Sequence, residues 1–276
     1  MKNFSRIAAQ NGKSIILQRV REEERQSVLD NLMQHDKNIM TGKVIRMIRD
    51  GMYSISLDKG DALLTKDDLI PGEVLRPEQR IKVYVKGMRE ESKKDKKGQT
   101  KVTQRIWVTR TAPGFVKRLF EQEVTEIKDG VVEIMSISRE PGSRTKMAVL
   151  SHDENVDPIG ACIGVNGCRI NAVCDELNGE KIDIIRWDEN PAYLVENALS
   201  PAKVIAVAAD EDEQSALVVV PDNQLSLAIG MKGQNARLAA KLTGYKIDIK
   251  SESQAREAGY FDEYEEQAEE ESEDEE

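Results

Sequence analysis

The sequence predicts a multidomain α+β chain: a long N-terminal helix, a small closed β-barrel, and one α-β-β-α-α-β module used twice. Three observations carry this. Five short β-type runs, each closed by turn residues, lie between residues 39 and 110. Downstream, two segments repeat the same features in the same order. Finally, 33% of the residues are charged and only 4% aromatic, which suits several small, well-solvated modules better than one large core.

Residues 2–35 read as the helix. Phe4, Ile7, Ile16, Val20, Val28 and Leu32 recur at helical offsets, and Arg19 and Glu23 form an i,i+4 pair. The "NGKS" inside it is not a phosphate loop, because that motif needs glycine where Ile7 stands and a strand before it. The β-type runs follow: "IMTGKVIRMI", "MYSISL", "DALLT", "RIKVYVKGM" and "TQRIWVTR". Five short strands in so few residues predict a closed barrel of the OB type. Between the last two lies "REESKKDKKGQTK", a basic excursion too polar to pack. It reads equally as a solvated hairpin tip or as a loop that attracts phosphates through Lys93, Lys94, Lys96 and Lys97.

After Pro113-Gly114 the chain predicts a helix ("FVKRLFEQEV"), two strands ("GVVEIMSISRE" and "SRTKMAVLSHD") joined by a Pro-Gly turn, then "CIGVNGCRINAVCDEL" and a strand, "EKIDIIRWD". The order recurs in a helix ("PAYLVENAL"), a hairpin ("AKVIAVAADED" with "QSALVVVPD"), "AIGMKGQNARLAAKL" and "YKIDIKS". Ile163-Gly164-x-x-Gly167 and Ile229-Gly230-x-x-Gly233 are each followed by a helix, a helix-ending glycine (Gly179, Gly244) and a Lys-Ile-Asp-Ile strand.

A helix–GxxG–helix turn reverses the backbone tightly, which glycine permits because it tolerates positive φ. Without side chains the turn leaves the first N–H groups of the second helix open to an anion at its partly positive end. KH modules of the type II order clamp roughly four nucleotides in this way, with bases in the groove beside the third strand. One GxxG is a weak signal, found at ordinary helix turns as well. Two in the same context, after a candidate OB barrel, predict RNA binding. Most of the surrounding apolar residues (Leu225, Ile229, Leu238, Ala239) should pack helices onto the sheet, leaving the loops and groove lips for RNA. The residues expected at the RNA are Gly164, Val165, Asn166, Gly167 and Arg169 in the first module, and Gly230, Met231, Lys232, Gly233, Gln234, Asn235 and Arg237 in the second.

The charge balance does not oppose this. Net charge is −10, but eleven of the 50 acids sit in the last sixteen residues, leaving 39 acids against 40 basic residues in the body. Cys162, Cys168 and Cys174 form no CxxC pair, and His35 and His152 are far apart, so no metal site and no cofactor are expected. Free thiols of this kind fit a reducing, cytoplasmic setting. No secretory h-region and no 18-residue apolar run is present, so no membrane association is expected. No catalytic Ser/His/Asp group or metal-type carboxylate cluster is discernible, which predicts a protein that is not an enzyme.

The segments "SREPGSRTKMAV", "DPIGACIGVNGCRI" and "DNQLSLAIGMKGQNARLAAKLTGYKIDIKS" closely resemble the NusA family of bacterial transcription termination/antitermination factors, over essentially residues 2–258. The resemblance implies an S1-type OB barrel followed by two tandem KH domains that hold nascent RNA on a continuous surface. It implies a role in pausing, termination and antitermination in the cytoplasm. The partners it implies are single-stranded nascent RNA, RNA polymerase and other antitermination factors, with the chain itself monomeric. The expected division is 1–37 connecting helix, 38–111 barrel, 112–201 first KH domain, 202–253 second KH domain, and 254–276 a disordered acidic tail. Family members begin with a polymerase-docking domain, of which residues 1–37 resemble only the final helix, so direct docking is the part of the resemblance least supported. Relatives often carry a basic residue where Asn166 stands, and an amide supplies no ionic contact. Arg169 is expected to compensate, and the second loop, with Lys232 and Arg237, to be the stronger clamp. The alternative is an S1/KH accessory of RNA degradation or translation.

Overall fold

The computed structural model describes residues 16, 19, 20, 23, 38–49, 51–57, 60–94 and 100–260, the side chains of 49, 89–94 and 100–104 aside. Of the expected N-terminal helix only Ile16, Arg19, Val20 and Glu23 belong to these, and they are helical; the acidic residues 261–276 lie outside them. Two compact units are present, Met1–Arg118 and Leu119–Glu276.

In the first unit strands β1 (Ile39–Arg49), β2 (Met52–Leu57), β3 (Gly60–Leu64), β4 (Arg80–Lys94) and β5 (Thr100–Thr109) form a closed barrel in the order β1-β2-β3-β5-β4. All neighbours are antiparallel except β3 and β5, which are parallel, and β1 closes on β4. Period-two alternation places Ile81, Val83 and Val85 of β4 and Ile106 and Val108 of β5 in the interior, with Val44, Ile55, Leu57 and Leu64. One end is tied by Arg110, whose guanidinium makes a two-pronged pair with Glu73 (3.0 and 2.9 Å) and donates to the Lys82 carbonyl. The basic excursion is largely strand. The β4–β5 ladder continues outward through Glu91↔Thr103 and Lys93↔Lys101 to Lys94↔Thr100, because a ladder is made of backbone groups and needs no apolar side chains.

The second unit holds two three-stranded sheets of one topology. Strands β6 (Val132–Glu140), β7 (Arg144–Ser151) and β8 (Lys181–Arg186) lie in the order β6-β7-β8. Strands β9 (Ala206–Asp210), β10 (Ser215–Val220) and β11 (Lys246–Ser251) lie in the order β9-β10-β11. In each sheet the first pair is antiparallel and the second parallel. Helices α1 (Pro113–Glu123) and α2 (Thr125–Lys128) precede the first sheet, and α5 (Pro191–Ala198) precedes the second. The elbow pairs are α3 (Pro158–Ile163) with α4 (Cys168–Glu176), and α6 (Leu225–Ile229) with α7 (Gln234–Thr243).

One core runs through both modules: Ala148 and Ile185 of the first join Leu194, Val195, Val218, Val220, Ala239 and Leu242. Helix α5 packs on β8 as well as on β9, β10 and α7, and α7 lies against β6 and β7. Residues 254–257, expected in the tail, are helical. Glu252–Glu257 form helix α8, opened by a reciprocal capping box between Ser251 and Gln254 and anchored by the buried Ala255.

Around the β6–β7 hairpin turn sits a buried ionic system. Arg139 and Glu180, both with fully buried side chains, meet through two bonds of 2.8 Å, and Glu180 also accepts from Gly142 N at 2.8 Å and from Thr145 Oγ1. Next to it Arg144 grips Asp183 with two bonds (2.6 and 2.9 Å). The buried Lys146 ammonium reaches Asp183 at 3.3 Å and the Ser200 carbonyl at 2.7 Å. These bonds fix the Glu140–Arg144 hairpin turn against the start of β8.

Candidate nucleic-acid interface

Each elbow breaks its helix in the same conformation. Gly164 (φ 73°, ψ 175°) matches Gly230 (75°, 171°), Asn166 (52°, 27°) matches Lys232 (54°, 27°), and Gly167 (75°, 14°) matches Gly233 (73°, 20°). The two glycines of a loop are there for different reasons. The first occupies backbone space that only glycine enters. A Cβ on Gly230 would also lie 2.8 Å from Asn235 Cβ and 2.9 Å from its backbone nitrogen. The second sits in the ordinary left-handed region, which Asn and Asp tolerate. A Cβ on Gly233 would meet nothing within 4 Å. The bareness of Gly233 is therefore not demanded by packing; it leaves open room beside the start of α7.

The turn uses some of its own amides. Gly167 N and Gly233 N donate to Gly164 O and Gly230 O at 3.1 Å, and Cys168 N and Gln234 N donate to Val165 O and Met231 O. The expectation of wholly open amides is corrected to that extent: the turn closes a 3-10 ring on itself, as tight reversals do. Between the glycines the loops present Val165 and Met231, 80% and 81% exposed, next to Asn166 and Lys232. A large apolar side chain held in water beside a polar or cationic one suits a strand with alternating sugar, base and phosphate. Ile163 and Ile229, at the ends of α3 and α6, are partly exposed on the lip of the same elbows.

Across the elbow, the second residue of each following helix is a brace. Arg169 Nη1 donates to the Ala161 carbonyl (2.6 Å) in α3 and to Glu126 Oε2 (2.9 Å) in α2. Asn235 Nδ2 donates to the Ala228 carbonyl in α6 and the Leu199 carbonyl just after α5, both at 3.0 Å. Different side chains thus do one job, tying the elbow to the helix that leads its module.

The family model described as the NusA-like first KH domain matches residues 110–187, and that of the NusA-like second KH domain matches residues 191–257. The transcription termination/antitermination protein NusA of Bacillus subtilis (strain 168) is 49% identical over 260 residues, covering 94% of this chain and 67% of the relative. The chain belongs to the NusA family. The proteins of the same name from Halalkalibacterium halodurans and Thermus thermophilus are 48% and 44% identical, over 66% and 61% of their own lengths. The chain thus spans about two thirds of the length of these NusA relatives.

Against this NusA-type frame the expected site residues divide. Gly164, Val165, Asn166 and Gly167 come together on one elbow, and Gly230, Met231, Lys232 and Gly233 on the other. Asn235 does not reach the surface: it is 4% exposed, turned inward by its two carbonyl partners. Arg169, expected to compensate for Asn166, is already engaged by Glu126 and Ala161. Gln234 and Arg237 face the first module. Gln234 Nε2 donates to Glu140 Oε2 and to Ser143 Oγ, both at 2.7 Å; Arg237 Nε donates to Glu140 Oε1 at 2.6 Å and its Nη1 to the Lys232 carbonyl at 3.2 Å. Arg237 and then Gln234 hold the Glu140 carboxyl below its ordinary value of 4.5, so it is anionic at neutral pH. Of the basic excursion, Lys93 and Lys94 end β4, whereas Lys96 and Lys97 lie outside the described residues. Glu140 itself was missed by sequence reasoning, since it stands outside both GxxG segments. Its only sequence signal is an acid at the mouth of a Pro-Gly turn. Among the described residues no helix is long and apolar enough to cross a membrane.

Proposed function

We propose that this chain is an RNA-binding transcription elongation factor that acts without catalysis, in the cytoplasm, in pausing, termination and antitermination. Single-stranded nascent RNA is its ligand, held by the two glycine elbows. RNA polymerase and other antitermination factors are its protein partners. The observation that carries the reading is the conformational identity of the two elbows, together with the open room at the second, where a Cβ on Gly233 would meet nothing within 4 Å. A phosphodiester fits that space, with Lys232 supplying charge at the second elbow and Asn166 only hydrogen bonds at the first. The names of the NusA relatives support the transcription role.

The test is Gly233→Asp, which the backbone tolerates at about 1 kcal/mol but which places a carboxylate where the phosphate would sit. Filter binding to single-stranded RNA should weaken by about tenfold or more, the scale of a lost charge-assisted contact, with the circular dichroism spectrum unchanged. Unchanged affinity contradicts the reading. Release of nucleotides from labelled RNA in phosphate and Mg²⁺ would contradict its non-catalytic part.

A further inference from the structure

The two elbows are alike in backbone but not in support. In the first module the residues one and four places after Gly167, Cys168 and Asn171, are exposed. Their counterparts after Gly233, Gln234 and Arg237, are both gripped by one carboxylate of the other module, Glu140. Arg237 passes the grip on, since its Nη1 donates to the carbonyl of Lys232, the left-handed residue at the tip of the second elbow. Glu140 in turn stands on a fixed base. It closes the β6–β7 hairpin opposite Arg144, whose guanidinium is clamped by Asp183, and the turn amide of Gly142 is bound to the buried Glu180. Helix α7 lies along β6 and β7, which brings the hairpin beside the second elbow.

We propose that Glu140 is a positioning residue of the second phosphate clamp, supplied by the first KH module. It does not touch RNA; it holds Arg237, and through it the Lys232 carbonyl, so that the tip of the second elbow is set before RNA arrives. This rests on the reading of the elbows as RNA clamps. It also assigns Arg237 a different task from the phosphate contact expected of it: with Glu140 at 2.6 Å its charge is largely answered within the protein.

The sign of the effect makes the proposal testable. Coulomb's law alone says that removing an acid near a phosphate site strengthens RNA binding, whereas loss of positioning weakens it. The experiment measures affinity for a mixed-sequence single-stranded RNA long enough to cross both elbows, in the full chain, for Glu140→Ala and Glu140→Gln. Glu140→Ala should weaken binding by about tenfold, the scale of a charge-assisted bond. Glu140→Gln, which keeps the side-chain volume and one acceptor, should lose less. The loss should vanish in a Gly233→Asp background, where the second clamp is already blocked, and persist in a Gly167→Asp background. Unchanged or tighter binding by Glu140→Ala, while Gly233→Asp still weakens it, overturns the proposal alone. A loss that persists in the Gly233→Asp background does so too, because it shows Glu140 acting elsewhere. If Gly233→Asp has no effect, the clamp reading itself fails first.

Discussion

Lys232 and Asn166 occupy the same left-handed position at the tips of two matching loops, φ 54° and 52°. Asparagine adopts that region readily, whereas lysine does so at about 1 kcal/mol of strain. The second elbow keeps the strained cation, which is intelligible if its ammonium serves a ligand rather than the fold. Exchanging the two residues separates the terms. Lys232→Asn should leave the fold as stable or up to about 1 kcal/mol more stable, yet weaken RNA binding and flatten the slope of log affinity against log salt by about 0.7, one phosphate's worth for a single strand. Asn166→Lys should steepen that slope by about the same amount. Thermal unfolding and binding titrations at several salt concentrations check both. At this scale the sequence was informative about the glycines, whose conformational demand is written in the residue type. It did not give the bracing roles of Arg169 and Asn235, both expected at the RNA, which hold the two elbows with different chemistry: a shared role filled by unlike side chains leaves no repeated letter.

At the scale of elements, the five barrel strands were legible because alternation and turn residues are local signals. The extension of β4 and β5 was not, because a charged ladder carries no apolar pattern. At the β6–β7 hairpin the sequence marks only a Pro-Gly turn, but the acids and bases around it form the most buried ionic system described in the chain. Glu180 satisfies Arg139, Thr145 and the Gly142 amide at once. Residues some forty positions apart cannot be paired by inspection of a single chain. Such a pair costs much to break even where it contributes little net stability. Glu180→Ala, which removes the carboxylate neutralising a fully buried guanidinium, should destabilise the second unit by about 3–5 kcal/mol, seen as a lower urea midpoint. A midpoint equal to that of the parent chain would mean that water or another acceptor replaces the carboxylate.

At the scale of the molecule, the repeat is more than duplication. A common core through Ala148, Ile185, Val195 and Val218, the Lys146–Ser200 bond and the Glu140 grip join the two KH modules into one unit. Two weak clamps held at a constant separation bind one strand more tightly than two on a flexible tether, because the second contact is formed at high effective concentration. That joint is the part the sequence concealed. The repeat announces two equal modules, whereas the structure builds the second elbow partly on the first module. The proposal on which the rest depends is an RNA backbone lying across both elbows. The most direct measurement is an NMR titration of the chain with single-stranded RNA, following backbone amides. Saturable shifts are expected, concentrated at Gly164–Gly167 and Gly230–Gly233 and in the first turns of α4 and α7. Saturable binding with those amides unmoved, and the shifts gathered elsewhere on the chain, would contradict it.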